Sequence, residues 1–395
     1  MLDFCKAFDK ISISILLKKL KLLGISGNIG KWIANFLINR KQKIVVNKQS
    51  SQWSEVKSGV PQGTILAALL FLIYIADIGN EVKHSSLASY ADDSKLKKII
   101  ESSSDAEKLQ DDLNKVYQWT HDNIMEFNVA KFEILRIGQN ENLKSETSYL
   151  TPDGKPIPEN DVIKDLGVLF NKHGNFDDQL KVKIAKCNKM CGYILRTFVT
   201  REAGPMMCLF RSLVVPIMDY GSIIWNPSKR KDIQAIEQIQ RNFTKRLNNL
   251  SEYSYYERLK HLEIYSMERR RQRYEILYIF KILKHQVPNV GLKWKFFPRR
   301  GRELIPPPVR RNSRQSAVTM RRNSFRGSAA YTFNCLPMCL RNIDLNTPMP
   351  TIKRTLDRFL KTVTDEPVLN GCTRSTDAAS NSIHHQVVRR FSLDH

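Results

Sequence analysis

Residues 87–96, LASYADDSKL, place two carboxylates side by side in a run that otherwise reads as β-strand. Neighbouring strand residues point to opposite faces, so Asp92 and Asp93 approach one point only if a turn falls between two strands there. Adjacent like charges also repel, and a divalent cation at the tip of a hairpin offsets that repulsion. Mg²⁺ takes hard oxygen ligands, usually one or two carboxylates beside substrate phosphates. A second strand then has to supply another carboxylate, and LDFCKAFD at the start of the chain offers Asp3 and Asp9. Taken alone, an Asp-Asp pair reads most often as a solvated turn. Asp9 reads more readily as the cap of a helix beginning near Ser12 than as a ligand.

The charge balance narrows the partners. The 395 residues carry 63 Lys and Arg against 39 Asp and Glu, a net charge of +24. Such a chain condenses on polyanions, with nucleic acid the first candidate and a generally basic soluble protein the bland alternative. Between Arg241 and Arg326 stand 22 basic and 6 acidic residues, a net of +16. The seven cysteines lack the spacing of a disulfide framework or a zinc site and read as small apolar residues of a reducing compartment. The opening MLDFCKAFDK is charged from residue 3 and is not expected to be a signal peptide. The most apolar run, 65–76, is too short to span a bilayer and reads as a helix that is apolar nearly all round and hence buried.

Periodicity predicts helices over DKISISILLKKLKLL, closed by Gly24, and over NIGKWIANFLINR, with Ile29, Trp32, Ile33 and Phe36 on its apolar face. KQKIVVN and SQWSEVKSG read as two strands joined by a polar turn. SDAEKLQDDLNKVYQWTHDN reads as an amphipathic helix with a Ser104–Glu107 capping box. FEILRIG and DLGVLFN read as strands, and helices dominate after Phe176. LIPPPVRRNSRQS reads as a linker, and the last thirty or so residues as loosely ordered.

LDFCKAFD, SGVPQGT, YADD, FNVAKFEILRIG and KDLGVLF follow one another in this order. The series resembles the palm of reverse transcriptases, specifically those of LINE-type (non-LTR) retrotransposons of the jockey group. FRSLVVPIMDYGSIIWNPSKRKDIQAIEQIQRNFTKRL, YSYYERLKHLEIYSMERRRQRYEILYIFKIL and NSFRGSAAYTFNCLP extend the resemblance to about residue 360. The fold it implies is α+β: a right-hand polymerase palm of antiparallel sheet with packed helices, lacking fingers, then a mainly helical thumb and a basic C-terminal region. The implied divisions are palm over 1–175, a helical thumb-like region over 176–250, a basic helical region over 251–362 and a tail over 363–395.

The resemblance also implies roles. Asp3, Asp92 and Asp93 would hold two Mg²⁺ ions with the carbonyl of Phe4, and Lys131 would stand near the pyrophosphate. Phe8 would lie under the sugar and disfavour a ribose 2′-hydroxyl, while Gln62, Gly63 and Tyr90 would contact nucleotide and template. Leu166 and Gly167 would grip the primer. Apart from the resemblance, Arg269, Arg270 and Arg271 follow one another on a helix and span most of its circumference, so at least one is expected to contact the palm or nucleic acid, as a thumb or template-binding element would. The implied activity is RNA-directed DNA polymerisation from dNTPs on an RNA template and DNA primer, without a membrane. The implied location is intracellular and nuclear, with a cytoplasmic ribonucleoprotein stage.

The residues themselves leave plainer readings open: core for Phe8, a solvated strand-edge lysine for Lys131. The sequence departs from the family at Thr64, Ala67 and Ala68, where the family's helix begins with Ser and carries Gly-Pro. With Asp3 so near Met1, the chain reads as N-terminally truncated. The alternative function is therefore an inactive relic that binds RNA or DNA through its basic C-terminal half.

Overall fold

The computed structural model describes residues 1–138, 143, 147–308, 324–367, 381–383 and 386–387. It falls into two compact units, one of residues 1–165 with 170–175, the other of residues 166–169 with 176–395. The expected linker lies outside the described residues from 309 onward, and so does most of the expected tail.

The first unit mixes helices with short antiparallel strands. Helix α1, Ile13–Leu22, buries Leu16 and Leu20 and is closed by Gly24 at φ +81°, as the sequence suggests. Helix α2, Gly27–Leu37, buries Ile33 and Leu37, but Ile29 and Trp32 lie exposed, so its apolar face is narrower than the spacing implies. The KQKIVVN–SQWSEVKSG segment is two nested two-stranded pairings: β1 (Arg40–Gln42) with β4 (Ser54–Val56), and β2 (Val45–Val46) with β3 (Gln49–Ser50). Asn47 and Lys48, at φ 48° and 68°, make the tight turn.

Helix α3, Ile65–Ile75, corrects the expectation of all-round burial. Leu70, Phe71, Tyr74 and Ile75 are buried, while Ile65, Leu69 and Leu72 form an exposed apolar stripe. Near-uniform hydrophobicity gives no periodic signal of which side faces inward. Thr64 caps this helix through its hydroxyl, which accepts the Ala67 N–H at 3.1 Å.

Strands β5 (Ser86–Tyr90) and β6 (Asp93–Lys97) form the hairpin expected around the acidic pair. Helix α4, Ser103–Asp122, starts two residues earlier than the predicted capping box. Ser102 is its cap, and the Asp105 carboxylate accepts the Ser102 hydroxyl and the Glu101 N–H. Asp112, buried on α4, accepts the backbone N–H groups of Lys83, His84 and Ser85 at 3.0, 2.8 and 2.7 Å. Burial works against its charge, but those bonds outweigh it and hold the carboxyl below the usual range. The segment entering β5 is thereby tied to α4. FEILRIG is not a regular strand; Ile134 makes one isolated bridge to Glu159. DLGVLFN straddles a turn between β7 (Val162–Asp165) and β8 (Val168–Asn171).

The second unit is mainly helical. Helix Met267–Leu283 runs through its core beside Phe333, Ile352, Leu356 and Leu360. Glu275 is buried there and accepts hydrogen bonds from the Ser328 and Thr332 hydroxyls. Burial pushes its carboxyl up to about 7. A hairpin of β9 (Lys293–Phe297) and β10 (Gly301–Ile305) packs on this core through Leu304.

Two outcomes are expected. Asp112→Ala leaves three backbone donors unsatisfied and should destabilise the protein by about 2–4 kcal/mol, read as a fall in the denaturant midpoint. Because the carboxyl of Glu275 binds its proton more tightly in the folded state, its contribution favours folding below about pH 5 and is lost as pH rises through about 7. Glu275→Gln should therefore flatten the decline in thermal stability between about pH 5 and pH 7, and an unchanged slope would count against it.

Candidate active site

The site is built on one register. Leu2 and Ser94 exchange both backbone hydrogen bonds, at 2.7 and 3.1 Å, as an antiparallel pair. One step further along both strands, Asp3 comes opposite Asp93 at the non-hydrogen-bonded position, where Cα atoms approach to about 4.5 Å. Alternation does the rest. Leu2, Phe4 and Ser94 are buried, so Asp3 and Asp93 share the opposite face. Phe4 stacks on Phe127 with ring centroids 4.6 Å apart, and Cys5 N–H and Asn128 N–H bond across to Glu126 and Asp3 carbonyls at 2.8 Å. The leading segment is therefore held between β6 and the 126–128 segment by isolated bridges on both sides.

Tyr90 pairs with Asp93, so Ala91 and Asp92 are the two residues of the turn. Ala91 takes the left-handed conformation at φ 51°, a strained choice for a residue with a Cβ. The turn brings Asp92 beside the other two carboxylates. Asp93 records their proximity. Partial desolvation and then the charges of Asp92, Asp3 and Asp165 push its carboxyl above the usual range, while Lys131 pulls it back.

Lys131 sits on a 3₁₀ turn, Val129–Lys131, rather than on a strand edge. Its Nζ lies 2.7 Å from Asp3 Oδ2, and this bond, with the charges of Asp3, Asp92 and Asp93, holds its ammonium above the ordinary lysine range. The structure thus brings Asp3, Asp92, Asp93 and Lys131 together. Among the described residues no three carboxylate, His or Cys side chains are already set as ligands around one point. The donor set nevertheless fits a hard divalent cation: three carboxylates on one edge, mutually repelling and in part compensated by a lysine.

A second cluster borders the first residues. The Gln62 amide donates to Asp9 Oδ1 at 3.1 Å, so Asp9 is engaged by the loop and does not cap α1, whose cap position is Ser12. Gly63, at φ +84°, faces open space. Phe8 stacks on Phe71 of α3 at 4.7 Å and is half-buried, and Tyr90 is exposed beside the turn. Sequence reasoning missed Gly59. Its φ is +78°, and a Cβ there would lie 2.7 Å from Asp9 backbone atoms, so only glycine lets the loop seat against the Phe8–Asp9 turn. The SGVPQG run, with two glycines around a proline, was the available signal, read only for its Gln and second Gly. Asp165, paired with Lys95, was missed too; nothing in DLGVLF marks it as the acidic neighbour of Asp93.

The remaining predicted residues belong to the second unit. The Tyr220 hydroxyl donates to the Leu166 carbonyl at 2.6 Å, and its ring lies against Gly167, itself at φ +81°. The three arginines correct the expectation of a nucleic-acid contact. Arg269 is fully buried and bonds to the carbonyls of Val363, Thr364 and Asn381. Arg271 is buried with Nε on Asn226 Oδ1, and Arg270 pairs with Asp219 at 2.8 Å. Three consecutive residues span most of a helix's circumference, and this helix is buried on most sides.

Removing one charge from the acidic edge should relieve repulsion. Asp93→Asn is expected to stabilise the fold by about 0.2–1 kcal/mol, seen as a higher melting temperature at pH 7. The gain should vanish near pH 3, where the native carboxyl is protonated anyway.

The family described as reverse transcriptase (RNA-dependent DNA polymerase) matches residues 1–170. Among curated proteins the chain is 23% identical over 299 residues to the probable RNA-directed DNA polymerase from transposon BS of Drosophila melanogaster, covering 72% of this chain and 32% of that protein. It is 23% identical over 280 residues to the RNA-directed DNA polymerase from mobile element jockey of the same fly, 66% of this chain and 29% of that one. With the probable polymerase from transposon X-element, also of Drosophila melanogaster, it shares 24% over 256 residues, 60% and 27% of the two chains. The chain thus spans about a third of the length of the curated relatives it matches. Its first 170 residues, which carry the shared acidic edge, match the reverse transcriptase family, and the relatives it resembles support a jockey-like reverse transcriptase of a non-LTR retrotransposon.

Proposed function

We propose that the acidic edge of the first unit carries RNA-directed DNA polymerisation by two-metal phosphoryl transfer. The observation that supports this reading most is the register that sets Asp3 opposite Asp93, with Asp92 in the adjoining turn. Asp3, Asp92 and Asp93, with the Phe4 carbonyl, would hold two Mg²⁺ ions. Bound there, the ions would lower the pKa of the primer 3′-hydroxyl and neutralise charge on the transferred phosphoryl and departing pyrophosphate.

The chain's own residues have distinct tasks in this reading. Phosphoryl transfer asks mainly for positioning and charge compensation. Asp3 is held by backbone bonds on both sides of its strand, so its carboxylate has little freedom. Lys131 is protonated and its Nζ is exposed enough to move from Asp3 to a pyrophosphate oxygen, where it could return a proton to the leaving group. Phe8, braced by Phe71, would support the sugar of the incoming dNTP, and Gln62, Gly63 and Tyr90 would line nucleotide and template. Leu166 and Gly167, fixed by Tyr220, would grip the primer. The division into palm to 175, thumb-like region to 250 and basic region to 362 belongs to the same reading. So does copying at nuclear DNA after a cytoplasmic stage with the template RNA.

A second reading is a non-enzymatic nucleic-acid binder, favoured by one observation: Lys131 already neutralises Asp3. Primer extension separates the two. With Mg²⁺, dNTPs and a primed RNA template, the parent chain should incorporate nucleotides, and Asp92→Asn or Asp3→Asn should lose roughly 100-fold or more in rate. Extension unaffected by Asp92→Asn would end the polymerase reading. Binding without incorporation by the parent chain would support the second.

A further inference from the structure

One side chain ties helix α2 to the loop that carries Gln62. After Leu37 the backbone reverses at Asn39, which takes the left-handed conformation at φ 58°, and Arg40 opens β1 opposite Val56. The Arg40 side chain then reaches two elements at once. Its Nε donates to the Leu37 carbonyl at 3.0 Å, and its Nη2 donates to the carbonyl of Ser58 at 3.1 Å and to that of Gly59. The first acceptor is a helix-end carbonyl with no partner in its own helix. The other two belong to the 57–64 loop. All three are main chain, so this guanidinium fixes backbone rather than neutralising a carboxylate.

The same loop is fastened by its donors to the turn that carries Phe8. Gly59 N–H donates to the Ile11 carbonyl at 2.8 Å, and Val60 N–H to the Phe8 carbonyl at 2.9 Å. The Ser58 hydroxyl donates to the Asp9 carbonyl at 2.8 Å, and the Gln62 amide to Asp9 Oδ1 at 3.1 Å. Asp9, which the sequence offers as a ligand or a cap, is thus part of this seam. Arg40 holds the loop by its carbonyls, and residues 8–11 hold it by its N–H, hydroxyl and amide groups. A planar guanidinium can meet acceptors of two elements in fixed geometry, which a single ammonium does not. A staple for the hairpin alone would end at Val56, yet these bonds run two and three residues past it.

We propose that Arg40 is a positioning residue for the nucleotide. It makes the Gln62–Gly63 loop and Phe8 one rigid block, and so sets how strongly a deoxyribonucleotide is chosen over a ribonucleotide without touching either. This role rests on the polymerase reading, in which the sugar lies over Phe8 and the nucleotide along Gln62 and Gly63. A ring excludes a 2′-hydroxyl only while its distance from the groups holding the rest of the nucleotide is fixed. Released from Arg40, the loop can shift against Phe8 by a fraction of an ångström, and both affinity and choice of sugar fall.

Isothermal titration of dCTP and CTP with Mg²⁺ tests this on the full chain. The chain is bound to a primed RNA template whose next base is guanine and whose primer ends in a dideoxynucleotide, so binding is read without bond formation. The parent should prefer dCTP. Arg40→Ala should weaken dCTP roughly 10-fold and CTP less, which lowers the preference. Methylguanidinium should restore part of it, and sodium chloride of equal ionic strength should not. Hydrogen exchange over residues 57–63 should quicken in the same variant as the Gly59 and Val60 N–H groups loosen. If Arg40→Ala does not fold, Arg40→Lys carries the test: it keeps the charge, cannot span both elements, and should lose the preference in part. A folded variant with the parent's preference reduces Arg40 to a hairpin staple and overturns the proposal. Unchanged exchange in the loop overturns it too, as does a parent that binds neither nucleotide. Polymerisation is read apart, on an extendable primer. A parent that prefers dCTP but incorporates nothing ends the polymerase reading and leaves the positioning by Arg40 standing.

Discussion

Two backbone hydrogen bonds between Leu2 and Ser94 decide whether this chain has a site at all. A slip of one residue would turn Asp3 inward and bring Leu2 out, because strand side chains alternate. The slip is opposed from several directions. Leu2 and Phe4 have apolar partners on the inner face, Ser94 has the Ser89 hydroxyl at 2.8 Å, and the far edge of the strand is bonded to residues 126 and 128. The register is therefore fixed by burial, and the position of the carboxylates follows from it.

The surrounding fold serves the same end at longer range. Asp112 fastens the approach to β5 onto α4, which locates the turn that carries Asp92. Gly59 lets the 57–64 loop seat on the Phe8–Asp9 turn. The cost is a collection of like charges at one edge and a left-handed alanine in the turn, neither of which favours folding. Unfavourable local terms that the surroundings hold in place are what a reactive site requires.

Much of this was legible in the residues. The ADD turn between two strands, the helix closed by Gly24 and the helical character after Phe176 follow from period and turn chemistry. The convergence of Asp3 with Asp92 and Asp93 came from family resemblance, since pairing between residues ninety positions apart leaves no periodic trace. Other features failed for physical reasons. The α3 run is too uniformly apolar to reveal its exposed side, and Ser102 rather than Ser104 caps α4 because Asp105 can reach back to it. Lys131 looked like a strand residue because its neighbours are apolar, yet it occupies a 3₁₀ turn. Arg269–Arg271 were expected to spread around their helix with at least one on the palm or a nucleic acid, while their partners are carbonyls and side chains far away in sequence.

Those enclosed guanidinium groups bear on how the protein folds in the presence of a polyanion. Before the core closes, Arg258, Arg269 and Arg271 are as available to a polyanion as any surface lysine; afterwards they are sequestered. A polyanion that holds them favours the open chain by mass action. Long nucleic acid should thus act as an antagonist of maturation for this chain until Val363, Thr364 and Asn226 have captured the side chains it competes for.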